Sequence, residues 1–147
     1  MNKNQLELTG FALNKATDSI KLVEASLKKF KTYEKDKIYS PDELDPYDAL
    51  SDRFIRSVEI CIKFFKSYEL YHYGVNSDTV RDLLNQMAKL KLISSTLTWM
   101  QMRDVRNRIV HDYLPDQIYD IYELSNNIYG KELKMLKSKL LKIKVQS

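Results

Sequence analysis

The 147-residue sequence is poor in the residues that interrupt or cross-link a chain, with three glycines, three prolines and one cysteine. Gly10, Gly74 and Gly130 are isolated, and a phosphate-cradling loop needs clustered glycines so that backbone N–H groups can approach the phosphates. Nucleotide binding by such a loop is excluded. The lone Cys61 rules out an internal disulfide framework, and with only His72 and His111 beside it there is no metal-ligand spacing. A Gly-x-Ser-x-Gly elbow for a serine nucleophile is also missing. The chain shows no signal segment at its start and no apolar run of membrane-spanning length, so the expectation is a soluble, cytoplasmic protein with no membrane partner.

What the chain has instead is helical periodicity. Hydrophobic residues make up 44% and charged residues 30%, and the few breakers imply long helices in a single domain spanning 1–147. Leu6, Leu13, Ala16, Ile20, Val23, Leu27 and Phe30 recur at helical steps and predict a first helix over 4–34. The charged stretch 35–44 reads as a connection. Asp45-Pro46 supplies a cap and a first-turn proline for a second helix. Leu50, Phe54, Val58, Cys61, Phe65 and Tyr68 form its core stripe, and Gly74 ends it. Asn76-Ser77-Asp78 is expected to cap a third helix carrying Val80, Leu83, Leu84, Met87, Leu90 and Leu92. Ser94-Ser95 breaks the pattern, a fourth helix runs to Tyr113 or Leu114, and a fifth starts at Pro115 with a kink or split at Gly130. No alternating strand pattern appears, and the fold expected is an all-α, up-and-down bundle of about five helices.

Several residues have both a structural and a functional reading. Cys61, inside an apolar stripe, fits a small buried core thiol better than a redox centre. His72 lies in the last turn before Gly74, where an imidazole complements the helix C-terminus. Lys131, Lys134, Lys137, Lys139, Lys142 and Lys144 face a single acid, Glu132, which suits a solvated helix face or, alternatively, contact with an RNA backbone. The ten tyrosines, Tyr119, Tyr122 and Tyr129 among them, can stack on bases or fill the core. The net charge of +4 is compatible with a polyanionic partner and is also common in proteins that have none.

The chemistry concentrates in Arg103-Asp104-Val105-Arg106-Asn107-Arg108-Ile109-Val110-His111-Asp112-Tyr113. At about 100° per residue, Trp99, Met102, Ile109, Val110 and Tyr113 fall within roughly 60° of Arg106. Arg106 is therefore expected in the middle of the apolar face, where an unpaired guanidinium is costly. An acid of the second helix, such as Glu59 or Glu69, is one way to hold it. Arg103, Asn107 and His111 form a polar flank at i, i+4, i+8. His111 lies about 140° around the axis from Arg106 and roughly 7.5 Å along it, so the two heads converge only if the helix end bends or a second copy faces the first.

Arg106-Asn107-x-x-x-His111-x-Tyr113 resembles the Arg-x-x-x-x-His-x-Tyr signature of the HepT-like ribonuclease toxins of the HEPN superfamily, including the polar residue directly after the arginine. The resemblance extends less specifically to Asp52–Glu59 and to the order of helices over about 45–145. It implies a metal-independent endoribonuclease without cofactor, acting as a homodimer with RNA between the two motifs. His111 would be the general base, Arg106 would stabilise the scissile phosphate, and Asn107 would orient either group. Arg103 and Arg108 are further candidates for RNA contact. In that family a small nucleotidyltransferase antitoxin adenylylates the motif tyrosine, which matches Tyr113. Two other readings stay open: a non-catalytic substrate-binding partner subunit of a nucleotidyltransferase, and a helical adaptor unconnected with RNA.

Overall fold

Ser40-Pro41-Asp42-Glu43 starts the longest helix with a reciprocal pair of hydrogen bonds. The Glu43 N–H donates to Ser40 Oγ at 3.2 Å, and the Ser40 N–H donates to Glu43 Oε1 at 3.2 Å. With Pro41 in the first turn, this capping box satisfies donors that a helix start leaves orphaned. The start expected at Asp45-Pro46 is therefore one turn too late, and Pro46 lies inside the helix.

The structure, a computed structural model, describes residues 3–111 and 115–143, with the side chains of residues 109–111 and 115–118 outside the description. Its helices are α1 (Lys3–Lys28), α2 (Pro41–Tyr73), α3 (Val80–Lys89), α4 (Thr96–His111), α5 (Pro115–Leu124) and α6 (Gly130–Leu140), with a π-helical turn (Ser125–Tyr129) joining the last two. Since α5, the π turn and α6 follow without a break, the described residues form five helical rods and no strand, the all-α bundle that the periodicity implied. No helix among them is long and apolar enough to cross a membrane.

Helix α2 is central and packs against α1, α3, α4 and α5. Of its predicted stripe, Leu50, Phe54, Val58, Cys61 and Phe65 are buried and Tyr68 is partly buried, facing Ala16, Ile20 and Val23 of α1 and Trp99 and Met102 of α4 within one core that also takes Leu133, Leu136 and Leu140 of α6. Cys61 is fully buried, and burial pushes its thiol up to about 12, as befits a core residue. At the far end, Gly74 adopts φ 71°, a left-handed cap whose N–H donates to the Leu70 carbonyl at 2.9 Å. His72, exposed in that last turn, stacks on Tyr68 with ring centroids 5.7 Å apart.

Three further boundaries differ from the expected ones. Helix α1 stops at Lys28, not 34, since Phe30 and Tyr33 leave the helical path to pack on Tyr47 of α2, at 6.2 Å and 5.2 Å between centroids. Tyr33 also meets Tyr39 at 4.8 Å and Tyr122 of α5 at 5.3 Å. The cap of α3 is Thr79, whose Oγ1 accepts from the Asp82 N–H at 3.1 Å, not Asn76-Ser77-Asp78. Ser77 is instead engaged by buried Glu69, donating its N–H at 2.7 Å and its hydroxyl as well. Leu92 belongs to the turn after α3, where Lys91 has φ 61° and Leu92 and Ile93 are both buried.

The lysine-rich end of the chain is tied to the bundle at two points. Lys137 pairs with Glu24 of α1 at 2.6 Å, and Lys139 donates to the Lys91 carbonyl at 2.5 Å, while Lys131, Lys134 and Lys142 are exposed; Lys144 lies outside the described residues. Glu132, the one acid in that run, is buried and accepts from the Ser94 N–H at 3.1 Å, the Ser94 hydroxyl at 2.6 Å and the Trp99 indole N–H at 3.0 Å.

Gly130 follows the π turn at a crowded point: a Cβ there would lie 2.6 Å from the Ser125 carbonyl oxygen and 2.9 Å from Leu27 of α1. Gly130→Ala is expected to destabilise the fold by about 1–3 kcal/mol, read as a lower midpoint in thermal unfolding followed by circular dichroism. The capping box generates a second expectation. A hydrogen bond from Lys37, followed by those from Ser40, holds the Glu43 carboxyl at about 2 against its ordinary 4.5. A carboxylate depressed in the folded state stabilises it fully above the ordinary range and loses that contribution as pH falls toward the folded value. Glu43→Gln should therefore flatten the dependence of the unfolding midpoint on pH between 4.5 and about 2.

Candidate functional site

The face that α4 turns to the core runs through Trp99, Met102 and Val105, which are 0%, 0% and 3% exposed. Val105 pulls the centre of that face away from Arg106, so the arginine stands at its edge and not in its middle, with 34% of its side chain exposed. The edge position relieves part of the desolvation cost, and two partners take up the rest. Arg106 Nε donates to Glu59 Oε1 of α2 at 2.7 Å, Nη2 donates to the same oxygen, and Nη1 donates to Asn107 Oδ1 at 2.5 Å. Of the two acids expected as holders, Glu59 fills the role and Glu69 is occupied by Ser77. A guanidinium has five N–H donors, so three bonds leave two for an incoming oxyanion.

Arg106 and Glu59 border a surface groove of about 360 Å³ between α2 and α4. Val58, Ile62 and Val80 give it an apolar floor; Lys63 and Lys66 of α2 and Arg103 of α4 line its sides. Four cations thus share the groove with one carboxylate. Arg103 makes no ion pair among the described residues, whereas Arg108 donates to Asp104 at 2.8 Å on the exposed side of α4 and does not line the groove. The motif residues Arg106 and Asn107 are therefore brought together, Arg103 joins them, and Arg108 points its charge elsewhere.

His111 is the last residue of α4, and its side chain is outside the description; Tyr113 lies outside the described residues altogether. Lys63 and Lys66 escaped the reading of the sequence. They follow Glu59 at i+4 and i+7 and so share one flank of α2, but that flank becomes a site only when α4 packs beside it. A second cavity, about 230 Å³, lies where α1 passes to α2, walled by Phe30, Tyr39 and Tyr47 and closed by the 2.9 Å Lys37–Glu43 pair. No motif residue borders it.

A comparison with curated proteins finds no match. The family described as nucleotidyltransferase substrate binding protein-like matches residues 13–142, a span that takes in the α2–α4 groove, the whole of the α4 motif and every helix except the first turns of α1. With the match running over nearly its whole length, the chain belongs to that family, which is of the HepT and HEPN type.

Proposed function

We propose that the chain is a metal-independent endoribonuclease, the toxin of a toxin–antitoxin pair whose antitoxin is a nucleotidyltransferase. The observation that supports this reading best is the setting of Arg106: a guanidinium fixed by Glu59 and Asn107 at the edge of a cationic groove, with donors to spare. That is the equipment for neutralising a phosphate as charge develops on it.

In the reaction, the His111 imidazole takes the proton of an RNA 2′-hydroxyl as general base. The 2′-oxygen attacks the adjacent phosphorus to form a 2′,3′-cyclic phosphate, the bond to the 5′-oxygen breaks, and the leaving oxygen takes a proton from water. Arg106 donates hydrogen bonds to the non-bridging oxygens throughout. Asn107 keeps the guanidinium aimed through the bond seen between them. Because Arg106 and His111 diverge by about 140° on one straight helix, each cleavage site draws its residues from two copies of α4 in a cytoplasmic homodimer.

Adenylylation of Tyr113 neutralises the enzyme on this reading, since a bulky anion two residues from His111 obstructs the cleft and repels RNA phosphate. The family description favours one other reading, a non-catalytic subunit that presents substrate to a nucleotidyltransferase, in which the groove binds without cutting.

Purified protein incubated with total RNA in EDTA distinguishes the two. The nuclease reading expects cleavage that falls about 100-fold or more in Arg106→Ala and in His111→Ala; intact RNA, with partner binding preserved in the parent and both variants, selects the substrate-binding subunit. Inside cells, Tyr113→Phe is expected to stay toxic when the antitoxin is co-expressed. Covalent neutralisation of that variant, seen as an added nucleotide mass, would move the modification to another residue.

A further inference from the structure

Three groove cations have no counter-charge among the described residues. Glu59 is committed to Arg106, while Lys63, Lys66 and Arg103 make no ion pair among the described residues. Glu69, one turn beyond Lys66 on α2, is buried and accepts from Ser77, while Asp52 pairs with Arg56 and Asp104 with Arg108. Like charges gathered this way repel one another, and the cost falls when a polyanion lies among them. Lys63 and Lys66 are one turn apart on α2, and Arg103 and Arg106 are one turn apart on α4, so the cations form two short rows on either side of the apolar floor of Val58, Ile62 and Val80.

A track with charged sides and an apolar floor matches a single nucleic-acid strand, whose phosphates meet the cations while a base covers the floor. A duplex buries its base faces and has no use for such a floor. The volume of about 360 Å³ is on the scale of one nucleotide.

We infer that Lys63 and Lys66, together with Arg103, hold the phosphates of single-stranded RNA next to the one that Arg106 receives on its two free donors, and that the Glu59 carboxylate, paired to the same guanidinium, opposes that phosphate by its charge. The inference rests on the ribonuclease reading for the identity of the strand and adds two contact residues from α2, outside the motif. Glu59 then has two effects. It keeps Arg106 in place in the empty groove, and it repels the phosphate that the same guanidinium receives.

The test is binding of a short fluorescein-labelled single-stranded RNA to full-length His111→Ala protein, followed by anisotropy across a series of salt concentrations. Each phosphate contact on a single strand contributes about −0.7 to the slope of log affinity against log salt. Lys63→Gln with Lys66→Gln is expected to make the slope shallower by about 1.4 and to weaken binding at low salt. Glu59→Gln is expected to tighten binding. Both lysines are exposed, so circular dichroism should show unchanged melting.

An unchanged slope and affinity in the double lysine variant overturns the track, as does a parent that binds no RNA. Cleavage assayed with His111 intact separates this inference from the reading beneath it. Cutting that needs Arg106 but ignores the lysines leaves the nuclease standing without its track; lysine-dependent binding without cutting leaves the track standing without the nuclease.

Discussion

Trp99 must lie in a water-free core and still find an acceptor for its indole N–H, and much of the bundle is arranged around that requirement. The acceptor is Glu132, a carboxylate buried on α6 that also receives both donors of Ser94. A buried carboxylate without such donors would cost several kcal/mol. With them it ties the start of α4 to α6, while the Trp99 ring meets Phe65 of α2 edge-on with centroids 5.0 Å apart. Three helices are thereby fixed around one side chain. Two turns further along α4, the same registration puts Arg106 beside Glu59, so the geometry of the groove is inherited from a contact well away from it.

The groove brings two kinds of electrostatics together. Surface pairs such as Arg56–Asp52 and Arg108–Asp104 join residues four apart on one helix and are worth a few tenths of a kcal/mol. Arg106–Glu59 bridges two helices, half-exposed, with a bifurcated guanidinium and a second acceptor in Asn107. Its value lies in orientation more than in stability, because solvent screens a pair exposed to this degree. A guanidinium that is already aimed loses less freedom when a phosphate arrives.

Much of the fold was legible in the sequence because apolar periodicity survives in long helices: Ala16, Ile20 and Val23 of α1 and Leu50 to Phe65 of the α2 stripe are buried as their spacing implied. Helix ends were harder. Ser40-Pro41-Asp42-Glu43 carried a complete capping box, but Asp45-Pro46 offered a competing start, and only the closed pair of hydrogen bonds decides between them. Phe30 and Tyr33 kept helical spacing beyond the true end of α1, since an aromatic that packs on Tyr47 from a loop looks like one that packs from a helix. In the site, the motif and an acidic partner on the second helix could be read from residue types, but the choice of Glu59 over Glu69 came from the packing of α2 on α4. The edge placement of Arg106 could not be read, because it depends on Val105 sharing the core face, and Lys63 and Lys66 had no distinguishing feature until α4 lay next to them. Glu132 looked like a stray acid among lysines and is the buried anchor of α4.

The buried thiol has a practical side. Cys61 is the only cysteine in the sequence, it is fully enclosed, and its proton is held so firmly that almost no thiolate exists at neutral pH. Maleimides and disulfide reagents are attacked by a thiolate, so a buried, protonated thiol reacts with them far more slowly than an exposed one. Any cysteine introduced on the surface becomes the dominant reactive handle without first removing the natural one. A spin label, a fluorophore or a cross-linker can then report on distances between copies of the chain in an otherwise unaltered core.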